Sequence, residues 1–439
     1  MTQIDILKAS LKELSDSMLL LELTPVDLVD FYLNRIGDES HDLNIMLQVD
    51  HAGAYNAAEE AAINFSRGNS RGPLDGIPVV VKDNIDVAGL PTTCGLGLTR
   101  NADKDAEVVA RLRKAGAVIL GKTNMDEGAL AALSDNPHHG RVEHPFFPGF
   151  TPGGSSGGSA AAVTRGLCCA ALGTDTLGSV RLPASYCGLV GFKPSFGRVP
   201  VEGVTALGKD FDCTGTITRK TADSRLLAQC LMDRPLMTNQ QSKIRPRWGA
   251  LANIDSKILT PVVEKSFRNA LEILQAWYPA KNELILENWD PGKTRRAALL
   301  LIEREAALRW ASDRHRFPHA FSKNLHSMLD YGMKAGSEVI RMARQKIKST
   351  SDSLLHALEN IELIVTPTTP QSAFEFDAEL PKNQADFTSL ANFSGCPAIS
   401  ISCPVPEGSL PVGLQLISRP GSDNWLLETA SKIEQMFIK

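Results

Sequence analysis

The apolar positions of the chain change their period as they run, and each change predicts a different kind of element. Through the first ~60 residues they recur at helical spacing. Leu11, Leu14 and Met18 fall on one face, and Val26, Leu28, Val29, Tyr32 and Leu33 mark a second helix. Thr24-Pro25 opens that second helix as an N-cap followed by proline at the first helical position, where its missing N–H is not needed. From residue 76 the spacing collapses into short continuous runs. Ile77 to Val81 and Ala117 to Leu120 predict strands buried on both faces. Between them Val108, Val109, Leu112 and Ala115 form a helical stripe, with Asp105 placed to cap it and Gly116 to end it. Strand, helix and strand in that order predict α/β layering around a sheet that is at least partly parallel.

Further on the texture becomes specialised. Residues 150–215 are rich in Gly, Ser, Thr and Ala, with Ser159 to Cys169 compatible with a helix. Residues 233–248 are the most linker-like stretch. Residues 295–360 predict charged helices fit for a lid or pocket wall. Leu363 to Val365 reads as a strand running into the rigid turn Thr366-Pro367-Thr368-Thr369-Pro370. No internal repeat is present.

Composition narrows the function classes. With 46 basic and 50 acidic residues the formal charge is −4, so the chain lacks the basic excess of a nucleic-acid-binding protein. No apolar run reaches the ~18 residues of a membrane helix, and charges interrupt any signal-peptide core near the N-terminus. Eight scattered cysteines without a C-x-x-C pair point to buried thiols in a reducing cytoplasm.

Three motifs fail on their context. Gly116 to Thr123 matches G-x-x-x-x-G-K-T, but a helix precedes Gly116 and the intervening residues are themselves a strand, so no phosphate-cradling loop can form. Gly154 to Gly158 matches G-x-S-x-G with Ser156 as nucleophile, but three prolines between His144 and Pro152 rule out the strand that must lead into it. Its base would have to be His315, His319, His326 or His356, none in a catalytic setting. No metal site is expected: Pro318 separates His315 from His319, and His138, His139 and His144 sit in a Pro/Gly loop.

What remains is a constellation without histidine. A buried strand delivers Lys82. A glycine-serine loop, Thr151 to Ala160, carries Ser155 and Ser156. A third turn, Gly173 to Pro183, carries Asp175, Ser179 and Arg181. Together they supply a base, hydroxyls and clustered backbone donors.

With these residues the sequence resembles the amidase signature family from about Leu19 to Ile433. Gly121-Lys-Thr-Asn-Met-Asp-Glu-Gly128, Cys187 to Arg198, Gly395-Cys-Pro-Ala398 and Leu410 to Leu416 carry the resemblance as well. It implies a single α/β domain over residues 1–439, with a central mixed, partly parallel sheet covered by helices on both faces. Within it fall an N-terminal helical region (1–70), a catalytic core segment (76–232), a helical lid (295–360) and a C-terminal part of the core (361–439). It implies Lys82 as catalytic base, Ser155 as bridging serine after a cis peptide bond, and Ser179 as the acylated nucleophile. It also implies an oxyanion hole built from the N–H groups of Thr176, Leu177, Gly178 and Ser179, with Ala129 lining the acyl-side channel.

Ser156 is expected to support the lysine, and Asp175 and Arg181 to brace the loop. Leu177 departs from the family's usual glycine. Its N–H is useful only if its backbone avoids positive φ, and its side chain should narrow the acyl pocket. For Lys82 to act as a base near neutrality its pKa must fall by about 2–3 units from ~10.4, which burial behind Val79-Val80-Val81 favours. Asp83, on the opposite face of the strand, is expected to point away. The substrate pocket is expected to draw on residues 125–140 and on helices between 295 and 345. Arg295, Arg296, Arg304 and Arg341 are candidates for holding a substrate carboxylate, with solvated helix faces the simpler explanation.

The function implied is hydrolysis of a small or urea-like amide by a cytoplasmic enzyme without cofactor, nucleic acid or membrane. Self-association into a homodimer is left open. The alternative within the family is the A subunit of a tRNA-dependent amidotransferase, a glutaminase working with a partner.

Overall fold

The continuous apolar runs become inner strands of one wide sheet. The computed structural model describes residues 4–233, 245–252, 254, 258–278 and 281–438. Most of the linker-like stretch, residues 234–244, lies outside the described residues. Among those described, eleven strands form a sheet in the spatial order Met46–Val49, Val118–Thr123, Pro78–Lys82, Ala170–Asp175, Cys213–Thr218, Val190–Lys193, Ala398–Ser402, Gly413–Ile417, Leu363–Pro367, Trp248–Leu251 and Lys281–Leu284.

Pro78–Lys82 runs parallel to both its neighbours, and so does Trp248–Leu251 at the other end. Every pairing between Ala170–Asp175 and Leu363–Pro367 is antiparallel. The sheet is therefore mixed, with parallel pairings on either side of an antiparallel middle and an antiparallel edge strand, Met46–Val49, and helices flank it. Every residue of Pro78–Lys82, Val118–Thr123 and Ala170–Asp175 is buried, as continuous apolar strands require. Among the described residues no helix is long and apolar enough to cross a membrane.

Local signals behave unevenly. Thr24 caps the helix Pro25–Leu43, its hydroxyl accepting from the Asp27 N–H at 3.0 Å. Asp105 does not cap the helix Glu107–Lys114, whose N-cap is Ala106. Its carboxylate accepts from the Ala88 N–H at 2.8 Å and pairs with Arg113 instead. Two strands interrupt regions expected to be helical or irregular: Met46–Val49, between two long helices, and Ala170–Asp175, just after the helix Gly157–Arg165.

A second apolar cluster stands apart from the sheet core. Helices Pro291–Arg309, Lys323–Lys334 and Ser337–Asn360 contribute Ala298, Ile302, Leu325, Leu329 and Ile347 to it, and Ala129, Leu130, Leu177 and Leu207 join from the other side. This packing seats the helical layer over the turn that carries Ser179.

Candidate active site

Lys82 ends its strand fully buried. Its Nζ donates to Ser155 Oγ at 2.8 Å and to Thr174 Oγ1 at 2.9 Å. Thr174 lies on Ala170–Asp175, the parallel neighbour of the lysine's strand, and also accepts from Asn84 Nδ2 at 3.1 Å. The second partner of the amine is thus Thr174 and not Ser156. The Ser156 hydroxyl donates to the Thr174 carbonyl at 3.3 Å.

Burial pulls the Lys82 ammonium down to about 7, against the opposing charges of Asp126, Asp212 and Asp175. Asp83 is not among the opposing groups. It points to the other side of the strand and pairs with the fully buried Lys122 at 3.1 Å. Lys122 lies on the strand Val118–Thr123, so the apparent phosphate loop is a sealed ion pair. Burial raises Asp126 to about 6, opposed by the N–H groups of Ser134 and Leu133. It raises Asp212 to about 6 as well, opposed by the Thr176 hydroxyl and the N–H groups of Leu207 and Gly208.

Ser155 follows a cis peptide bond from Gly154 and sits just before the helix Gly157–Arg165. Position 154 admits no side chain, since a Cβ there would stand 1.9 Å from Asp126 Oδ2. Ser179 lies on the facing turn, and its carbonyl accepts from the Ser156 N–H at 3.3 Å, which ties the two serine loops together. Its hydroxyl makes no hydrogen bond among the described residues and lines a cavity of about 190 Å³.

The turn carrying Ser179 is held by a buried polar network. Arg181 Nε and Nη2 bond both oxygens of Asp175, at 3.0 and 2.8 Å. Arg181 also reaches the Thr388 carbonyl, Gln415 Oε1 and Asn392 Oδ1 at 2.5 to 2.7 Å. Asp175 in turn accepts from the N–H groups of Gly178 and Val180. Burial would lift the Asp175 carboxyl, but Arg181 and Asn392 outweigh it and hold it down at about 2. Both side chains brace the loop. Removing the charge with Asp175→Asn leaves a buried guanidinium without its counter-charge. A loss of about 3–5 kcal/mol is expected, read as a lower urea midpoint; an unchanged midpoint would show the brace to be dispensable.

The same network corrects the expected oxyanion hole. The Gly178 N–H is taken by Asp175 Oδ1 at 2.9 Å. Among the described residues the N–H groups of Thr176, Leu177 and Ser179 have no partner. Leu177 avoids positive φ, which falls on Gly178 at +126°, where a Cβ would stand 2.2 Å from Thr388 Oγ1. The leucine is thus accommodated, with its side chain in the cavity wall beside Thr176 and Ala129.

The remaining walls come from Ala129 to Ala132 and from Arg295, Leu299, Ile302 and Met328, within the two regions expected. The segment 381–385 closes another side, which the sequence did not signal. Thr174 and Asp126 lay inside quoted motifs without a role. Gln415 likewise lay inside the Leu410 to Leu416 motif without a role, and Thr388 and Asn392 carried no local signal. Among the described residues no group of three His, Cys, Asp or Glu is placed to hold a metal ion.

Residues 27–427 match the family described as amidase. The chain is 32% identical to the glutamyl-tRNA(Gln) amidotransferase A subunit of Desulforapulum autotrophicum, with 94% of both chains covered. It is 30% identical to the protein of that name from Legionella pneumophila (strain Corby), covering 97% of this chain and 96% of that one. Its fold is similar to a solved structure described as an amidase, with TM-score 0.90, 30% identity, and 98% of this chain and 100% of that one covered. It is similar as well to the native peptide amidase from Stenotrophomonas maltophilia, with TM-score 0.83, 25% identity, and 98% and 97% covered.

Proposed function

We propose, from the premise that this chain belongs to the amidase family, that it cleaves a small carboxamide through an acyl-enzyme on Ser179. The family makes it a hydrolase of C–N bonds outside peptide linkages. The observation that carries the residue roles is the fully buried amine of Lys82, hydrogen-bonded to the hydroxyl of one serine whose loop is tied to another serine facing the cavity.

An amide needs an activated nucleophile, a home for the tetrahedral oxyanion, and a proton for the departing nitrogen. Ser179 Oγ attacks the carbonyl carbon as its proton passes to Ser155 Oγ, which gives its own to neutral Lys82. The bond Lys82 makes to Ser155 has the geometry for that second transfer, and the first requires the Ser179 hydroxyl to turn toward Ser155. The N–H groups of Thr176, Leu177 and Ser179 are donors for the oxyanion. As the intermediate collapses, the proton returns along the same path to the leaving nitrogen. Water then repeats the sequence on the acyl-enzyme. The experiment that tests the assignment is labelling with a fluorophosphonate probe. The adduct is expected on Ser179 by mass spectrometry, and an adduct on Ser156 would reassign the nucleophile.

The pH profile tests the base. Only the neutral amine accepts a proton, so kcat/KM is expected to fall about tenfold per unit below pH ~7. The Asp126 carboxylate favours the ammonium form of Lys82. Asp126→Asn removes that charge while keeping an acceptor for Ser134 and Leu133. The acid limb is expected to move to lower pH, and a limb that stays put or moves up would separate Asp126 from the base.

A second reading draws on the relatives named as amidotransferase A subunits. In it the enzyme is a glutaminase that works only beside a second protein. Amide hydrolysis by the isolated chain supports the free-standing enzyme. Glutaminase activity appearing only with a co-purified second chain supports the amidotransferase reading.

A further inference from the structure

The cavity beside Ser179 is lined mainly by apolar side chains, and two cations break that lining. Arg295 stands in its wall and Lys382, solvent-exposed, at its edge. No carboxylate lines it among the described residues. Two other arginines of the helical layer are already paired. Arg296 is held by both oxygens of Glu303, at 3.0 and 2.7 Å, and Arg341 by Glu338 on an exposed face. Arg295 differs. Its side chain is only 15% exposed and one nitrogen, Nη1, is anchored by Asp386. Nε and Nη2 have no hydrogen-bond partner among the described residues, and the residue lines the cavity.

A guanidinium presents its donors as a planar fork that matches a carboxylate. Held at one corner and open on the others, it is pre-organised to receive one. Resting on the reading of Ser179 as nucleophile, we propose that Arg295, assisted by Lys382, is the specificity-determining residue for amides that carry a carboxylate away from the scissile bond. Asp386 is 5% exposed, lies behind Arg295 and forms no part of the cavity wall. It therefore fixes the guanidinium and offers nothing to an ammonium group, which favours a plain carboxylate over an amino-acid-like end. The substrate class is that of monoamides of short dicarboxylic acids.

The test compares succinamic and glutaramic acids with butyramide and valeramide, neutral amides of matched length. The wild-type preference for the carboxylated pair is expected to be about tenfold or more in kcat/KM, the size of a charge-assisted hydrogen bond. That ratio is expected to collapse toward one in Arg295→Leu, mainly through KM, with Arg295→Lys keeping part of it. Arg295→Gln, which retains a donor for Asp386, is the second variant should the leucine protein fold poorly, and is expected to lose the preference too. Protection of Ser179 from fluorophosphonate by succinamic acid, compared with butyramide, reads the same subsite without turnover. A wild-type ratio near one, or a preference that survives in Arg295→Gln, overturns the subsite. Intact labelling without differential protection overturns the subsite alone. Absence of labelling overturns the nucleophile and the subsite together.

Discussion

Replacing Ser179 by alanine is expected to lower kcat for amide hydrolysis by roughly four to six orders of magnitude, a loss of about 5–8 kcal/mol of transition-state stabilisation. The hydroxyl is a single atom on a half-buried residue and makes no hydrogen bond among the described residues. Its removal therefore opens no core cavity and breaks no brace. The turn stays fixed by Asp175, Arg181 and Asn392, so the variant should unfold at the wild-type urea midpoint while losing the fluorophosphonate adduct. Near-normal turnover by folded Ser179→Ala would end the assignment.

Lys82→Met is expected to be as inactive, with an opposite signature in stability. Methionine fills the buried channel but accepts no proton, so Ser155 loses the group that draws on its hydroxyl. In the wild type the folded state holds Lys82 near 7, whereas an unfolded lysine titrates near 10.4. Between those values the unfolded chain binds more protons, so wild-type stability rises with pH across this window. The contribution is present above the upper value and lost as pH falls through the lower one, about 3–5 kcal/mol in all. Lys82→Met lacks that slope and is expected to be the more stable protein at pH 6. Urea titrations of both proteins at pH 6 and 9 check it. A variant equally pH-dependent, or weaker at pH 6, would mean that the lysine is not discharged by burial.

Both predictions rest on residues that were legible in the chain, unequally. The strand delivering Lys82 declares itself through Ile77 to Val81, because a strand buried on both faces needs an unbroken apolar run. The cap at Thr24-Pro25 is equally local. Asp105 shows where local reading fails: a helix start and a loop N–H competed for one carboxylate, and the loop won. Met46–Val49 is too short and too evenly half-buried to stand out between two helices. The roles of Lys82, Ser155 and Ser179 came from motif resemblance, and the geometry adds what motifs omit. Thr174 takes the lysine-supporting duty expected of Ser156, because the side of its strand that faces the lysine is set by sheet register. Asn392 and Gln415 meet Arg181 across more than two hundred residues, and no pattern in either segment announces the other.

That separation bears on how the protein is made. Asp175 and Asn392 are 217 positions apart, and at cellular translation speeds of about 5–20 residues per second roughly 10–45 seconds pass between the appearance of one and the other. During that interval the nascent chain holds Lys82, Ser155 and Ser179 but lacks the clasp that shapes the turn around the last of them. The buried network around that turn therefore closes only after Thr388, Asn392 and Gln415 have been made.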